Sequence, residues 1–91
     1  MIKTWHHKGL KLFWETGSTK GIPAKQAPRI RRILDAIDAA QAIEELNIPG
    51  FDLHELKGNR KGTWAISVIK NWRITFKFIT DAYELNYEDY H

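Results

Sequence analysis

Cysteine is missing from the 91-residue chain, which rules out disulfide staples and thiolate zinc sites together and makes a reducing compartment the default. Long apolar runs are missing as well. Lys3, His6, His7, Lys8 and Lys11 interrupt the N-terminus where a signal peptide would need an apolar stretch, and no segment approaches bilayer-spanning length. A soluble, cytoplasmic protein with no membrane partner is expected. The six glycines form neither a Gly-x-Gly-x-x-Gly fingerprint nor a P-loop, so the phosphate cradles of nucleotide enzymes are excluded. Ser18 and Ser67 lack the strand-turn-helix setting of a hydrolase nucleophile. Of the four histidines, His6 and His7 are adjacent, which points their rings apart on a helix or a strand, and no His-x-x-x-His pair occurs. No metal and no cofactor are expected. Repeats, low-complexity tracts and linkers are likewise absent, leaving one small domain over residues 1–91.

What is present is strongly patterned. Residues 1–5 read as a brief edge strand. Leu10, Phe13 and Trp14 share one side of a short helix over residues 9–15. Residues 16–21 form a loop by composition. A second helix starts between Pro23 and Pro28 and runs to about Ala40, with Ile30, Ile33, Leu34 and Ile37 as its apolar stripe. Residues 39–46 continue helically, bent or as a separate short helix, with Ile43 and Leu46 inward. Strand character then takes over, at residues 51–56 and, after a basic turn over residues 57–62, at residues 63–70 with Trp64, Ile66 and Val68 on one face. Trp72, Ile74, Phe76 and Phe78 alternate with Asn71, Arg73, Thr75 and Lys77, so Arg73 and Lys77 point the same way. A Thr80-Asp81 link then turns into a last strand with Tyr83, Leu85 and Tyr87 on one side and Glu84, Asn86 and Glu88 on the other. Helices first and strands second give an α+β domain, two to three helices on one face of an antiparallel or mixed sheet. The partner of the first strand is not legible from sequence.

The net charge of +3 is moderate, but Lys57, Arg60, Lys61, Lys70, Arg73 and Lys77 crowd in and around the sheet. That suits a polyanionic partner, and equally a solvated basic surface. The residue types that remain are His54 at the start of the strand-rich half, the basic turn behind it, Arg73 on a polar strand face, and a terminal Asp89-Tyr90-His91. Metal-free RNA cleavage needs this set. A base takes the proton of the 2′-OH, cations stabilise the charge gathering on phosphorus, and an acid protonates the leaving 5′-oxygen. Histidine serves either proton role near neutral pH, while lysine and arginine hold phosphate. The structural alternative has His54 as a satisfied strand-end histidine, Tyr90 as a core aromatic and Asp89 as an ion-pair partner of Arg73.

The run Leu53-His54-Glu55-Leu56-Lys57-Gly58-Asn59-Arg60-Lys61-Gly62-Thr63-Trp64, then Asn71-Trp72-Arg73-Ile74-Thr75-Phe76, then Asn86-Tyr87-Glu88-Asp89-Tyr90-His91, resembles the HigB-type (plasmid maintenance killer) toxins of the RelE superfamily. The likeness extends over essentially the whole chain. It implies a compact, microbial-RNase-like fold and an endoribonuclease that cuts mRNA in the ribosomal A site, with 16S ribosomal RNA contacts. It also implies a helix-turn-helix antitoxin of the HigA type and a toxin–antitoxin hetero-oligomer. The family's catalytic positions fall on His54, Asp89, Tyr90 and His91, with Lys57 and Arg73 as basic helpers, Arg60 in the same RNA-binding turn, and Asn71 placed to touch the substrate base. His54 or His91 is then the base, with the other, or Tyr90, as acid. Two noncatalytic readings stand beside this one, a nucleic-acid-binding module and an antitoxin-interaction module.

Overall fold

The computed structural model describes residues 1–89; Tyr90 and His91 lie outside the described residues. Two helices, α1 (Lys8–Thr16) and α2 (Ala27–Ala39), precede four strands, β1 (His54–Glu55), β2 (Thr63–Ile69), β3 (Trp72–Phe78) and β4 (Ala82–Asp89). The strands form one antiparallel sheet in the order β1-β2-β3-β4. The N-terminal segment lies parallel to β4 on its outer side, through bridges Ile2 to Ala82 and Trp5 to Leu85. This supplies the partner that the first strand lacked in the sequence and makes the sheet mixed at that edge. The α+β architecture is as expected.

The core follows from the expected stripes. Ile30, Ile33, Leu34 and Ile37 of α2 and Leu10 of α1 have no solvent exposure, and with Phe13 they meet Ile66, Val68, Ile74, Phe76 and Leu85 of the sheet. Each such side chain contributes roughly 1.5–3 kcal/mol on burial. α1 lies against β4 and α2 against β2, so both helices cover the same face and leave the other open.

Of the two forms expected for residues 39–46 the chain takes the separate short helix, and two departures from the sequence reading, in β1 and β4, have local causes. The chain leaves α2 at Ala40, where ψ turns to an extended 134°, and reforms only a single 3₁₀ turn at Ile43–Leu46. An unbroken helix would carry Leu46 about 180° away from Ile37, whereas the break lets Leu46 bury to 1% exposure. Residues 51–56 pair as a strand only at His54 and Glu55, because Gly50 and Asp52 both adopt left-handed φ values, 91° and 50°. In β4 the expected alternation fails at a bulge. Lys77 pairs with Tyr83 but Thr75 with Asn86, so Glu84 and Leu85 together oppose Phe76, and Glu84 takes φ 57°. Tyr83 therefore shares the open face with Thr63 and Lys77, while Leu85 and Tyr87 face the core.

The N-terminal segment holds this bulge. Thr4 accepts the Glu84 N–H on its hydroxyl (2.8 Å) and the Leu85 N–H on its carbonyl (3.2 Å). Next along the chain, His7 caps α1, its Nδ1 accepting the Leu10 N–H at 3.1 Å while its ring meets Tyr87 edge-on at 5.9 Å. Burial, and secondarily the neighbouring His6, pushes the His7 imidazole below its ordinary value.

A neutral Nδ1 is required for that cap, so its contribution of about 1 kcal/mol should be present above 6.5 and lost as pH falls through the lowered folded value. Urea midpoints followed across that range should show this slope, and His7→Asn, which caps without titrating, should remove it. Packing gives a second expectation. A Cβ on Gly9 of α1 would collide with the Gly21 carbonyl of the following loop. Alanine is the better helix former by about 1 kcal/mol, yet Gly9→Ala should lower stability by about 1–3 kcal/mol through overpacking, again read from the urea midpoint.

Candidate active site

The open face of the sheet is assembled by register, since directly opposed residues share a face. His54, Ala65, Thr75 and Asn86 form one row across all four strands. Ser67, Arg73 and Glu88 form the next. Two adjoining clefts cut into this surface, with His54 and Arg73 lining both. One, of about 250 Å³, adds Asp52, Ser67, Lys70, Asn71 and Trp72. The other, of about 370 Å³, adds Glu55, Leu56, Lys57 and Arg60. Five of the expected residues, His54, Lys57, Arg60, Asn71 and Arg73, thus come together around one groove. Asp89 pairs with Trp72 at the end of β4, which by strand alternation assigns it to the side carrying Tyr87. The expected roles of Tyr90 and His91 fall outside the described residues.

His54 is exposed, and its Nδ1 lies 2.8 Å from the Asp52 carbonyl. A carbonyl can only accept, so Nδ1 carries the hydrogen and the neutral ring keeps its lone pair on Nε2. That is the tautomer a general base needs. The groove otherwise gathers positive charge from Lys57, Arg60, Lys70 and Arg73. Lys70, at the β2–β3 connection, takes a left-handed φ of 51° beside Asn71 and so sets both at the rim. Trp72 is 38% exposed there, its ring stacked on Tyr87 at 4.8 Å. It lies on the side of Ile74 and Tyr87 expected from the alternation, but at the end of β3, where the indole covers Tyr87 and stays half-exposed.

Glu88 was not among the expected site residues, yet it organises the cations. Its carboxylate accepts a two-pronged bond from Arg60 (2.7 and 2.6 Å), one from the Thr75 hydroxyl (2.5 Å) and one from the Asn86 amide (3.2 Å), with Arg73 at 3.7 Å. The Arg60 hydrogen bonds, followed by that of Thr75, hold the Glu88 carboxyl down to about 2 against the opposing effect of burial. Arg60, expected to grip RNA, has its fork committed to Glu88, although 42% of its side chain stays exposed. The signal for Glu88 was its place on the polar side of β4 with Asn86; the bulge that sets it opposite Arg73 carried none. Among the described residues no group of three or more His, Cys, Asp or Glu side chains comes together as a metal cluster. No helix there is long and apolar enough to cross a membrane.

A small α+β domain whose open sheet face carries a histidine among lysines and arginines defines a class, and comparison with known proteins fixes it. Residues 3–91 match the family described as the RelE-like toxin of type II toxin-antitoxin system HigB, and the chain belongs to that family. It is 59% identical to the endoribonuclease HigB of Proteus vulgaris over 92 aligned positions, covering 100% of both chains. It is also 38% identical to toxin HigB-1 of Vibrio cholerae serotype O1 over 88 positions, covering 94% of this chain and 92% of the relative.

The Glu88 cluster generates its own expectation. Glu88 is ordinarily near 4.5 and is held to about 2 in the folded protein, so its stabilisation is complete above pH 4.5 and lost as pH falls toward about 2. With half-exposed Arg60 as main partner, screening leaves roughly 1–2 kcal/mol at neutral pH. Glu88→Gln should lower the urea midpoint accordingly and flatten its dependence on pH over that acidic range. An unchanged midpoint and an unchanged acid limb would mean that the cluster contributes nothing.

Proposed function

We propose that the chain is a ribosome-dependent endoribonuclease that cleaves mRNA in the A site by metal-independent acid–base catalysis through the 2′-OH. The observation that carries this reading is the His54 imidazole, fixed by the Asp52 carbonyl with Nε2 as acceptor and sharing its groove with Lys57 and Arg73. In the proposed step Nε2 takes the 2′-OH proton and the 2′-oxygen bonds to phosphorus. The bond from phosphorus to the 5′-oxygen then breaks, and that oxygen takes a proton from an acid, leaving a 2′,3′-cyclic phosphate and a 5′-OH. Lys57 and Arg73 hold the negative charge that builds on the phosphoryl oxygens. Arg60 adds field from its place on Glu88, and Asn71 with Trp72 at the rim meets a base. Tyr90 or His91 supplies the acid, and Asp89 orients a histidine or balances its charge; these three roles are drawn from the resemblance.

Ribosome dependence has a physical motive. Clefts of about 250 and 370 Å³ hold little more than one nucleotide unit, so the protein alone does not order a flexible message. A decoding site that already presents the message splayed supplies that orientation. The same reading places the protein in the cytoplasm, with 16S ribosomal RNA contacts and a HigA-type helix-turn-helix antitoxin as its partner in a hetero-oligomer. The Proteus vulgaris relative's name, endoribonuclease, supports the activity.

The test uses purified protein with ribosomes carrying a defined message, beside the same RNA free in solution. New 5′-OH ends should arise at codon positions on ribosomes and far more slowly on free RNA. His54→Ala and His91→Ala should each lower the single-turnover rate by about 100- to 10,000-fold while leaving the protein folded. A message left intact by a protein that binds ribosomes would make the chain a binding module, and His54→Ala cutting at the parent rate would dismiss the assigned base.

A further inference from the structure

Arg29 stands in the first turn of α2, on the helical layer behind the sheet. A solvated or ribosome-gripping side chain would place its guanidinium outward. Instead one terminal nitrogen donates to two main-chain carbonyls, Gly50 at 2.6 Å and Ser67 at 2.8 Å, and the guanidinium carbon lies 5.9 Å from the centre of the Phe51 ring. Its Nε is buried with no hydrogen-bond partner among the described residues, an unfavourable burial that the other contacts offset. Phe51 is 1% exposed and anchors the segment in the core.

The carbonyls of residues 50, 51 and 52 each have a different partner. Gly50 accepts from Arg29, Phe51 from the Ser67 N–H at 2.9 Å, and Asp52 from His54 Nδ1 at 2.8 Å. The chain here passes through two left-handed residues, Gly50 (φ 91°) and Asp52 (φ 50°). The second is a non-glycine residue whose strain, about 1–2 kcal/mol, must be held by its surroundings. β1 supplies little hold, since only His54 and Glu55 pair with β2. Arg29 fastens the strained segment to β2 by bridging Gly50, in the turn that precedes β1, to Ser67 on β2. Ser67 is itself a wall of the cleft that His54 lines.

We infer that Arg29 is a positioning residue for His54: by clamping the Gly50 and Ser67 carbonyls it fixes the Asp52 carbonyl, and that carbonyl fixes the imidazole in the tautomer with Nε2 unprotonated. This rests on the reading of His54 as the base. Arg29 touches no substrate and adds no phosphate contact, which separates it from the lysines and arginines of the groove.

The test pairs a measurement on the ring with one on the reaction. Nitrogen-15 chemical shifts of His54 at alkaline pH report which nitrogen carries the hydrogen. In the parent chain Nδ1 should carry it almost exclusively, and in Arg29→Met the two tautomers should mix. Single-turnover cleavage of a ribosome-bound message should fall by roughly 10- to 100-fold, with affinity for the ribosome unchanged. Should Arg29→Met not fold, Arg29→Lys, which keeps the charge and N–H donors on one nitrogen but not the planar guanidinium beside Phe51, is read in the same way with a smaller change. An unaltered tautomer ratio in the folded variant overturns the inference. So does a rate loss that comes entirely from weaker ribosome binding, which would make Arg29 a phosphate contact. If the parent chain cuts no message at all, the proposed activity falls, and the tautomer measurement still decides whether Arg29 sets the ring.

Discussion

The bulge at Glu84, held by the Thr4 hydroxyl and carbonyl, is the constraint on which the open face depends. In an unbroken β3–β4 ladder Arg73 would stand opposite Tyr87. One inserted residue moves the register so that Glu88 stands there instead and Tyr87 turns into the core. The sheet then has a carboxylate at the centre of its cationic face. Without it Arg60 and Arg73 would repel across a partly buried surface; with it they are drawn to one point, along with Thr75 and Asn86. The N-terminal segment, which contributes no groove residue, thus shapes the groove from the far edge of the sheet.

The face is built on two kinds of hold. The cations are arranged by a side-chain network, charged and satisfied, whose strength comes from a carboxylate with several donors. The histidine is arranged by main-chain carbonyls in a segment with little regular pairing and a strained Asp52. Irregular backbone of this kind gathers where function sets the geometry. Lys70, also left-handed, sits on the other side of the same cleft. The remainder of the molecule, from the α2 stripe to the inner sheet face, obeys ordinary periodicity and provides the rigidity against which these local departures are held.

That division explains how much was legible in the chain. The Ile30 to Ile37 stripe and the alternation through Ile74 and Phe76 encode burial directly, so helices, strands and their layering could be read. His54, Lys57, Arg60 and Arg73 could be gathered because their residue types suit phosphate chemistry, and Asn71 was added by the family resemblance. The place of Glu88 could not, since one extra residue in β4 depends on Thr4, about eighty positions away along the chain. The shortness of β1 was hidden for the same reason: it is set by what the segment meets in space, Gly50 against Arg29. Local propensity has no access to such contacts.

At the centre of this account is the claim that the scissile phosphate of the message lies on the open sheet face. An electron cryomicroscopy structure of the protein on a ribosome whose message carries a 2′-O-methyl group at the cleavage position would show it directly. The account predicts the blocked 2′-oxygen within hydrogen-bonding reach of His54 Nε2 and the adjoining phosphate against Arg73 and Lys57. A message running along the α1 and α2 side, with the groove turned to solvent, would contradict it.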